Sequence, residues 1–144
     1  MIDSPMRILL LLPCLILCAG CADSEQRPPC YPVAGQVLWL DQPLAEAMVI
    51  FHPKYEASPD LPKPTAFTDA EGNFQLTTFT SEDGAPVGNY AVTVELRQEQ
   101  KSGEEIVRDG PNLLPPRYAS PVTTDLTYSV VEDYNQVPAL RLQK

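Results

Sequence analysis

From Val33 onward, apolar and polar residues alternate in short runs, and each run ends at a turn signal. In "NYAVTVELR" (89–97), Tyr90, Val92, Val94 and Leu96 point one way, and Ala91, Thr93 and Glu95 the other. "NFQLTTF" (73–79) sets Phe74, Leu76 and Thr78 on one face. A period of two is the spacing of a strand with one buried face. The same reading gives strands at 33–40, 48–53, 65–68, 125–131 and 137–143. In the first, Val37 and Trp39 share a face opposite Gln36, Leu38 and Leu40. In the last two, Leu126, Tyr128, Val130, Leu140 and Leu142 are the inward candidates. Turns at 41–47 and 69–72 and loops at 54–64 and 80–88 separate these runs. The 16 prolines punctuate nearly every connection and leave little room for long helices. About seven such strands predict an all-β fold: a single Greek-key β-sandwich over residues 33–144.

A long polar stretch, 98–124, interrupts the alternation. Residues 101–110 have room for a helical turn, but no apolar stripe supports more. Leu113, Leu114 and Tyr118 are expected to tuck under the sandwich edge. If successive strands run in opposite directions, the 41–47 and 69–72 turns and the start of 98–124 share one end. The 53–64 and 80–88 loops then share the other end with the chain's entry at residue 33. Long loops on a rigid scaffold usually carry binding. With Arg97, Lys101, Arg108 and Arg117 among its acids, 98–124 is the expected docking segment, and deleting 99–109 should leave folding intact but abolish recovery of a partner; the competing reading is a disordered, functionless insertion.

The first 20 residues read differently. "ILLLLPCLIL" (8–17) is almost wholly apolar but spans about ten residues, half the ~20 that a membrane-crossing helix needs. A weakly basic head, a short apolar core and small residues make a secretory signal peptide, 1–20. "CAGC" (18–21) resembles a bacterial lipobox, in which a cysteine thiol receives diacylglycerol and cleavage falls just before it. Cys18 stands where that motif usually has Leu; as a free thiol it is a small hydrophobe. Taking Cys18 as the acceptor would put bulky Leu17 at the cleavage position, so Cys21 is the preferred lipidation site. The competing reading is an ordinary cleaved signal with an incidental cysteine. Residues 21–32 then form a lipidated tether, and three acyl chains would anchor it durably. This places the domain in the cell envelope, facing the periplasm or exterior. Ala22 slightly favours the outer over the inner membrane. Cys14 and Cys18 leave with the leader, so Cys30 is an odd thiol, spare or paired with another chain.

Charge narrows the partners. Asp3 and Arg7 cancel, so the net charge of −9 belongs to residues 21–144, which repel nucleic acid. Catalytic constellations are missing from the pattern. His52 is the chain's one histidine; it ends a strand before Pro53 and reads as a surface or rim residue. One histidine cannot supply a zinc ligand set. "DAEGNF" (69–74) lacks the alternating carboxylates of a calcium loop. No metal, cofactor or catalytic residue is therefore expected.

"VAGQVLWLDQPLAEAMVIFHP", "AFTDAEGNFQLTTF" and "GAPVGNYAVTV" together resemble the transthyretin-like, or carboxypeptidase-regulatory-like, β-sandwich of small bacterial envelope lipoproteins. The matching positions are Gly35 and Val37; Pro43, Leu44, Ala47, Val49 and Phe51; Thr68, Asp69, Gly72 and Phe74; and Asp83, Gly84, Ala85, Pro86, Gly88, Tyr90 and Val92. Physically, Gly72 suits a positive-φ turn, and Asp69 can accept N–H bonds across it. Phe74 and Tyr90 are core plugs, and Gly84 and Gly88 let the chain bend around Pro86. The family's glycine before Pro-Leu is replaced here by Gln42, making a tight first hairpin less comfortable. The resemblance implies a non-enzymatic, lipid-anchored module that binds an envelope protein or a glycan. It also leaves open a purely structural component or an accessory subunit of a larger secreted machine. A hydrolase of the transthyretin-related type would need several His and Arg residues, which one histidine nearly excludes.

Overall fold

The computed structural model describes residues 27–144. The expected leader, Cys21 and the first part of the tether lie outside the described residues. The elements in chain order are β1 (Cys30–Tyr31), β2 (Val33–Trp39), β3 (Gln42–Pro43), β4 (Met48–Pro53) and β5 (Thr65–Phe67). Then come β6 (Asn73–Gln75), β7 (Ala85–Pro86), β8 (Gly88–Glu95), β9 (Gln100–Ser102) and β10 (Glu105–Val107). A 3₁₀ turn (Pro116–Ala119), β11 (Thr127–Val130), β12 (Asn135–Gln136) and β13 (Leu140–Leu142) complete the chain.

The result is an all-β sandwich. One sheet has four antiparallel strands in the order β11-β8-β4-β5. The other is centred on β2, which pairs antiparallel with β3 and β6 on one side and parallel with β12 and β13 on the other. The seven expected strands are all present, most of them shortened, with 48–53 as expected and the 89–97 strand running from Gly88 to Glu95. Alternation marked the buried faces of the 73–79, 89–97, 125–131 and 137–143 strands, whereas in β2 both Val37 and Leu38, placed on opposite faces, are buried; it carries no signal for the parallel pairing with β2.

The inner faces make one core, as a two-layer sandwich requires. Val33, Val37, Val49, Phe51, Phe74, Leu76, Tyr90, Val92, Val94, Leu140 and Leu142 are all buried in it. Phe51 sits among Phe74, Tyr90 and Tyr128, with ring centroids at 6.5, 5.7 and 6.3 Å. These tilted and edge-on contacts suit the ring quadrupoles. Ala91 and Thr93, on the other face of β8, are buried as well.

The 111–126 segment borders the part of β8 that β11 leaves uncovered. Leu113 N–H donates to Leu96 O (2.8 Å), and Val92 N–H to Leu126 O (2.8 Å). Asn112 Oδ1 accepts the Leu96 N–H at 3.0 Å, and the Thr124 hydroxyl donates to Val92 O at 2.7 Å. Buried backbone groups need such partners, and irregular chain here does the work of a strand. Leu114 and Tyr118 are buried beneath it, but Leu113 is 57% exposed, contrary to expectation. The possible helical turn at 101–110 is instead the β9–β10 hairpin, turning at Gly103 with φ +65°.

Two other expectations change. The first strand stops at Trp39, and Leu40 and Asp41 form the turn itself, with φ of +50° and +63°. Gln42–Pro43 return as β3, so the hairpin is tight despite lacking a glycine. Part of the expected tether is also structured: Cys30–Tyr31 pair with Ala85–Pro86.

The ladders fix the ends. β2, β5 and β8 run one way, and β4, β6 and β11 the other. The 40–47 turn and the β9–β10 hairpin therefore share one end, where Arg108 bonds Glu46. The 54–64 and 80–87 connections share the opposite end with the incoming chain, where Arg27 lies over the Phe79 ring at 5.3 Å.

Candidate functional site

At the end where the chain enters, a half-open cleft of about 350 Å³ lies between the 54–64 loop and the sheet. Residues 52–64 supply most of its lining, and the "GAPVGNY" stretch (84–90) adds Pro86 and Tyr90. Gly84 (φ +88°) lets β7 approach β1: a Cβ there would meet Tyr31 O at 1.8 Å. Gly88 (φ +150°) is occupied in the same sense by the Tyr55 ring, 2.3 Å from where a Cβ would stand. The loop can settle on the sheet because no side chain stands between them.

Tyr90 makes the floor. Its hydroxyl donates to Pro86 O at 2.7 Å and lies 2.9 Å from the Tyr55 hydroxyl. Since the Tyr90 hydrogen goes to the carbonyl, Tyr55 must donate to Tyr90, and the Tyr55 oxygen keeps its acceptor capacity. The two rings meet edge to face, with centroids 5.8 Å apart and planes at 84°. Burial, then the Tyr55 bond, pushes the Tyr90 phenol far above its ordinary value, so it stays protonated.

His52 lines the wall, with Nε2 2.9 Å from the Thr93 hydroxyl. Burial, with Lys63 adding repulsion, pushes its pKa down, so the imidazole is neutral at pH 7. Phe79, Lys63 and Ser58 complete the working groups. Six prolines (Pro53, Pro59, Pro62, Pro64, Pro86 and Pro121) stiffen the walls. Among the described residues, no carboxylate lines the cleft. Thr93 is only 2% exposed, so its hydroxyl is shut away behind the imidazole. The arrangement offers ring faces and neutral hydrogen-bond partners, which is equipment for binding.

Asp83 holds the neighbouring turn. Its carboxylate accepts the N–H groups of Thr78, Phe79 and Thr80 at 2.7, 3.0 and 3.0 Å. Burial alone would raise its pKa, but these donors outweigh it and hold the carboxyl below its usual range. Cys30 lies nearby, its thiol pushed up by burial and by Asp83. That favours the unreactive thiol form.

The motif residues divide between the two ends. Gly84, Pro86, Gly88 and Tyr90 converge on the cleft. Gly35 and Phe74 face each other across β2 and β6 in the core. Asp69, Gly72 and Pro43 belong to the far end. There Asp69 Oδ1 accepts the Glu71 and Asn73 N–H groups at 3.0 and 2.9 Å. Gly72 (φ +75°) donates no side chain into a gap where Val37 O lies 2.5 Å from a Cβ position. Cys21 lies outside the described residues. The sequence treated 54–64 as a plain loop and so missed Tyr55 and Lys63. The available signal was its three prolines beside an aromatic, straight after a strand ending in His52–Pro53.

The segment expected to dock a partner is at the far end, and its cations are largely committed. Arg108 bonds Glu46 and Glu99, and Arg97 pairs with Glu95 at 2.7 Å. Arg117 donates to Tyr118 Oη and Gln143 O, both at 2.9 Å. Among the described residues, no three His, Cys, Asp or Glu side chains converge as a metal site would require.

No protein-family model matches the chain, and no curated protein matches it in sequence. The solved structures similar to it include the following three. A 9R-lipoxygenase from Cyanothece matches at 14% identity and TM-score 0.44, over 81% of this chain and 17% of that one. A DUF3823-family protein from Parabacteroides merdae matches at 13% identity and TM-score 0.37, over 81% of this chain and 46% of that one. A Pseudomonas aeruginosa protein suggested to bind carbohydrate matches at 15% identity and TM-score 0.42, over 84% of this chain and 92% of that one. The chain thus spans under half the length of the first two. The all-β sandwich assignment rests on the ladders above.

Proposed function

We propose that this protein is a non-enzymatic, lipid-anchored module of the cell envelope that binds a protein or glycan ligand. The observation that carries the binding reading is the cleft: a stiff, proline-walled hollow with aromatic faces and neutral hydrogen-bonding groups. The anchor rests on the sequence alone, on "CAGC" after a short apolar core. The resemblance to transthyretin-like envelope lipoproteins supports both halves. Cys21 is the acylated residue, the domain faces the periplasm or exterior, and Ala22 favours the outer membrane. The ligand needs no metal or cofactor on this reading, and the net charge of −9 argues against nucleic acid.

Two measurements test it. Fatty-acid labelling should mark the wild-type chain, and Cys21→Ser should accumulate as an unlabelled, unprocessed precursor; a labelled Cys21→Ser chain overturns the anchor. Proximity labelling in the native envelope should give contacts that Tyr55→Ala loses and a deletion of 99–109 keeps. The reverse pattern moves the binding site to the far end.

A second reading, an accessory subunit docked through that far end, is favoured by one observation. Phe67 and Ile106 are 65% and 67% exposed. Phe67 shares a shallow groove with Met48, Arg97 and Arg108.

A further inference from the structure

The chemistry of the cleft narrows its ligand. A small-molecule site commonly occupies 300–1,000 Å³, so this one is sized for one or two sugar rings. A pyranose has a face of C–H groups and a rim of hydroxyls. The aromatic π-face is electron-rich and attracts such C–H edges; Tyr55 supplies a ring to this cleft, while one face of the Phe79 ring is already covered by Arg27 at 5.3 Å. The rim hydroxyls need both donors and acceptors. Lys63 donates, the Tyr55 oxygen accepts, and Ser58 and neutral His52 can serve in either sense.

Other occupants fit less well. An extended peptide that adds to a sheet edge needs a row of backbone donors and acceptors. Six lining prolines have no N–H to give. A polyanion would meet one ammonium in the cleft, Lys63, and just beyond it Arg27 is offset by Asp60, against Leu61 and Pro62. A purely aliphatic ligand would strand the polar groups of the wall without partners. The prolines also lower what binding costs, because a stiff wall loses little entropy when a ligand arrives.

We infer that the cleft binds the ring of a neutral saccharide, stacked on Tyr55 and hydrogen-bonded by Lys63 and His52. This deepens the binding-module reading and rests on it. The sugar could be a free oligosaccharide or the headgroup of a membrane glycolipid. The anchor makes the second source geometrically accessible. Arg27, at the cleft end, is six positions on from Cys21, a reach of at most about 20 Å when fully extended.

The test uses the full acylated protein in detergent micelles, with maltotriose, cellotriose and tri-N-acetylchitotriose as probes. Saturation-transfer NMR should show magnetisation reaching the ring C–H protons of at least one of them. Tyr55→Ala should weaken that binding by about tenfold or more, equivalent to about 1.4 kcal/mol. Tyr55→Phe, which keeps the ring, should stay within about threefold, which separates loss of stacking from loss of folding. Lys63→Gln should weaken binding, and Leu113→Ala, at the far end, should leave it unchanged. Vesicles carrying a glycolipid with the same headgroup then separate the sources. Capture of the vesicles at lower protein concentration than free sugar requires assigns the membrane source; the opposite order assigns the free one. No transfer to any probe overturns the saccharide assignment, as does sugar binding that survives Tyr55→Ala. A protein partner captured by wild type and lost in Tyr55→Ala, with no sugar bound, overturns the assignment but preserves the binding module.

Discussion

The ring of Phe74 closes on Gly35: a Cβ built at Gly35 would lie 2.6 Å from Phe74 Cζ and 3.0 Å from Val137 Cβ. The two residues are register partners in the β2–β6 ladder. Gly35 thus leaves the space that the Phe74 ring enters on its way to the core. Gly35→Ala should force the ring or the strand to move and cost about 1–3 kcal/mol, as overpacking does. Urea denaturation gives the value. Adding Phe74→Leu should recover part of the loss, because the two changes share one space. Strictly additive losses would show that the ring is not what Gly35 accommodates.

Leu76 and Leu113 provide a contrast in burial at constant chemistry. Leu76 is fully buried, and Leu76→Ala should cost about 2–5 kcal/mol. Leu113 is mostly exposed, and Leu113→Ala should stay within about 0.5 kcal/mol. Equal losses at the two sites would mean that the 111–126 segment holds the edge of β8 through Leu113 after all.

Period-two alternation made the seven main strands legible, with the inward faces of those at 73–79, 89–97, 125–131 and 137–143, because one-sided burial writes itself into the sequence. Phe74, Leu76 and Thr78, marked as one face, are all buried. Three features were not legible for physical reasons. The pairing of β13 with β2 is parallel, and nothing in Leu140–Leu142 distinguishes a parallel neighbour from an antiparallel one. The β9–β10 hairpin is exposed on nearly every side chain, so it has no inward face to betray it. The cleft depends on Tyr55 reaching Gly88, a contact 33 positions apart that no local pattern encodes. The motif glycines were legible as positions but not as contacts.

Leu40 stands at φ +50° in the turn between β2 and β3, with Asp41 at +63° beside it. A left-handed conformation costs an L-residue about 1–2 kcal/mol. Leu40 is 46% exposed, so its side chain returns little of that through burial. Replacing it by glycine removes the strain but adds about 0.5–1 kcal/mol of unfolded-state entropy. Leu40→Gly should therefore raise stability by up to about 1 kcal/mol, read as a higher urea midpoint at constant slope. A lower midpoint would show that the exposed leucine makes contacts worth more than its strain.

The pH dependence of stability should carry a signature from His52. The imidazole has an ordinary value of 6.5, and in the fold burial, then Lys63, pushes it lower. The unfolded chain therefore binds the proton more readily than the folded one. Where the unfolded state holds more protons, stability rises with pH. The contribution of His52 is thus fully present above the unfolded value, and it declines as pH falls through 6.5 toward the folded value. Below the folded value both states are protonated and the slope vanishes. Asp83 acts in a separate window. Its carboxyl is held below the ordinary 3.8, so its contribution is present above that value and is lost only on further acidification. Urea midpoints measured from about pH 8 to pH 5 should therefore fall in the wild type. In His52→Gln the fall over that window should be shallower, because glutamine keeps a hydrogen-bonding group near Thr93 but does not titrate. Parallel curves for the two chains would show that His52 has the same proton affinity folded and unfolded, and that the wall of the cleft is wetter than its burial implies.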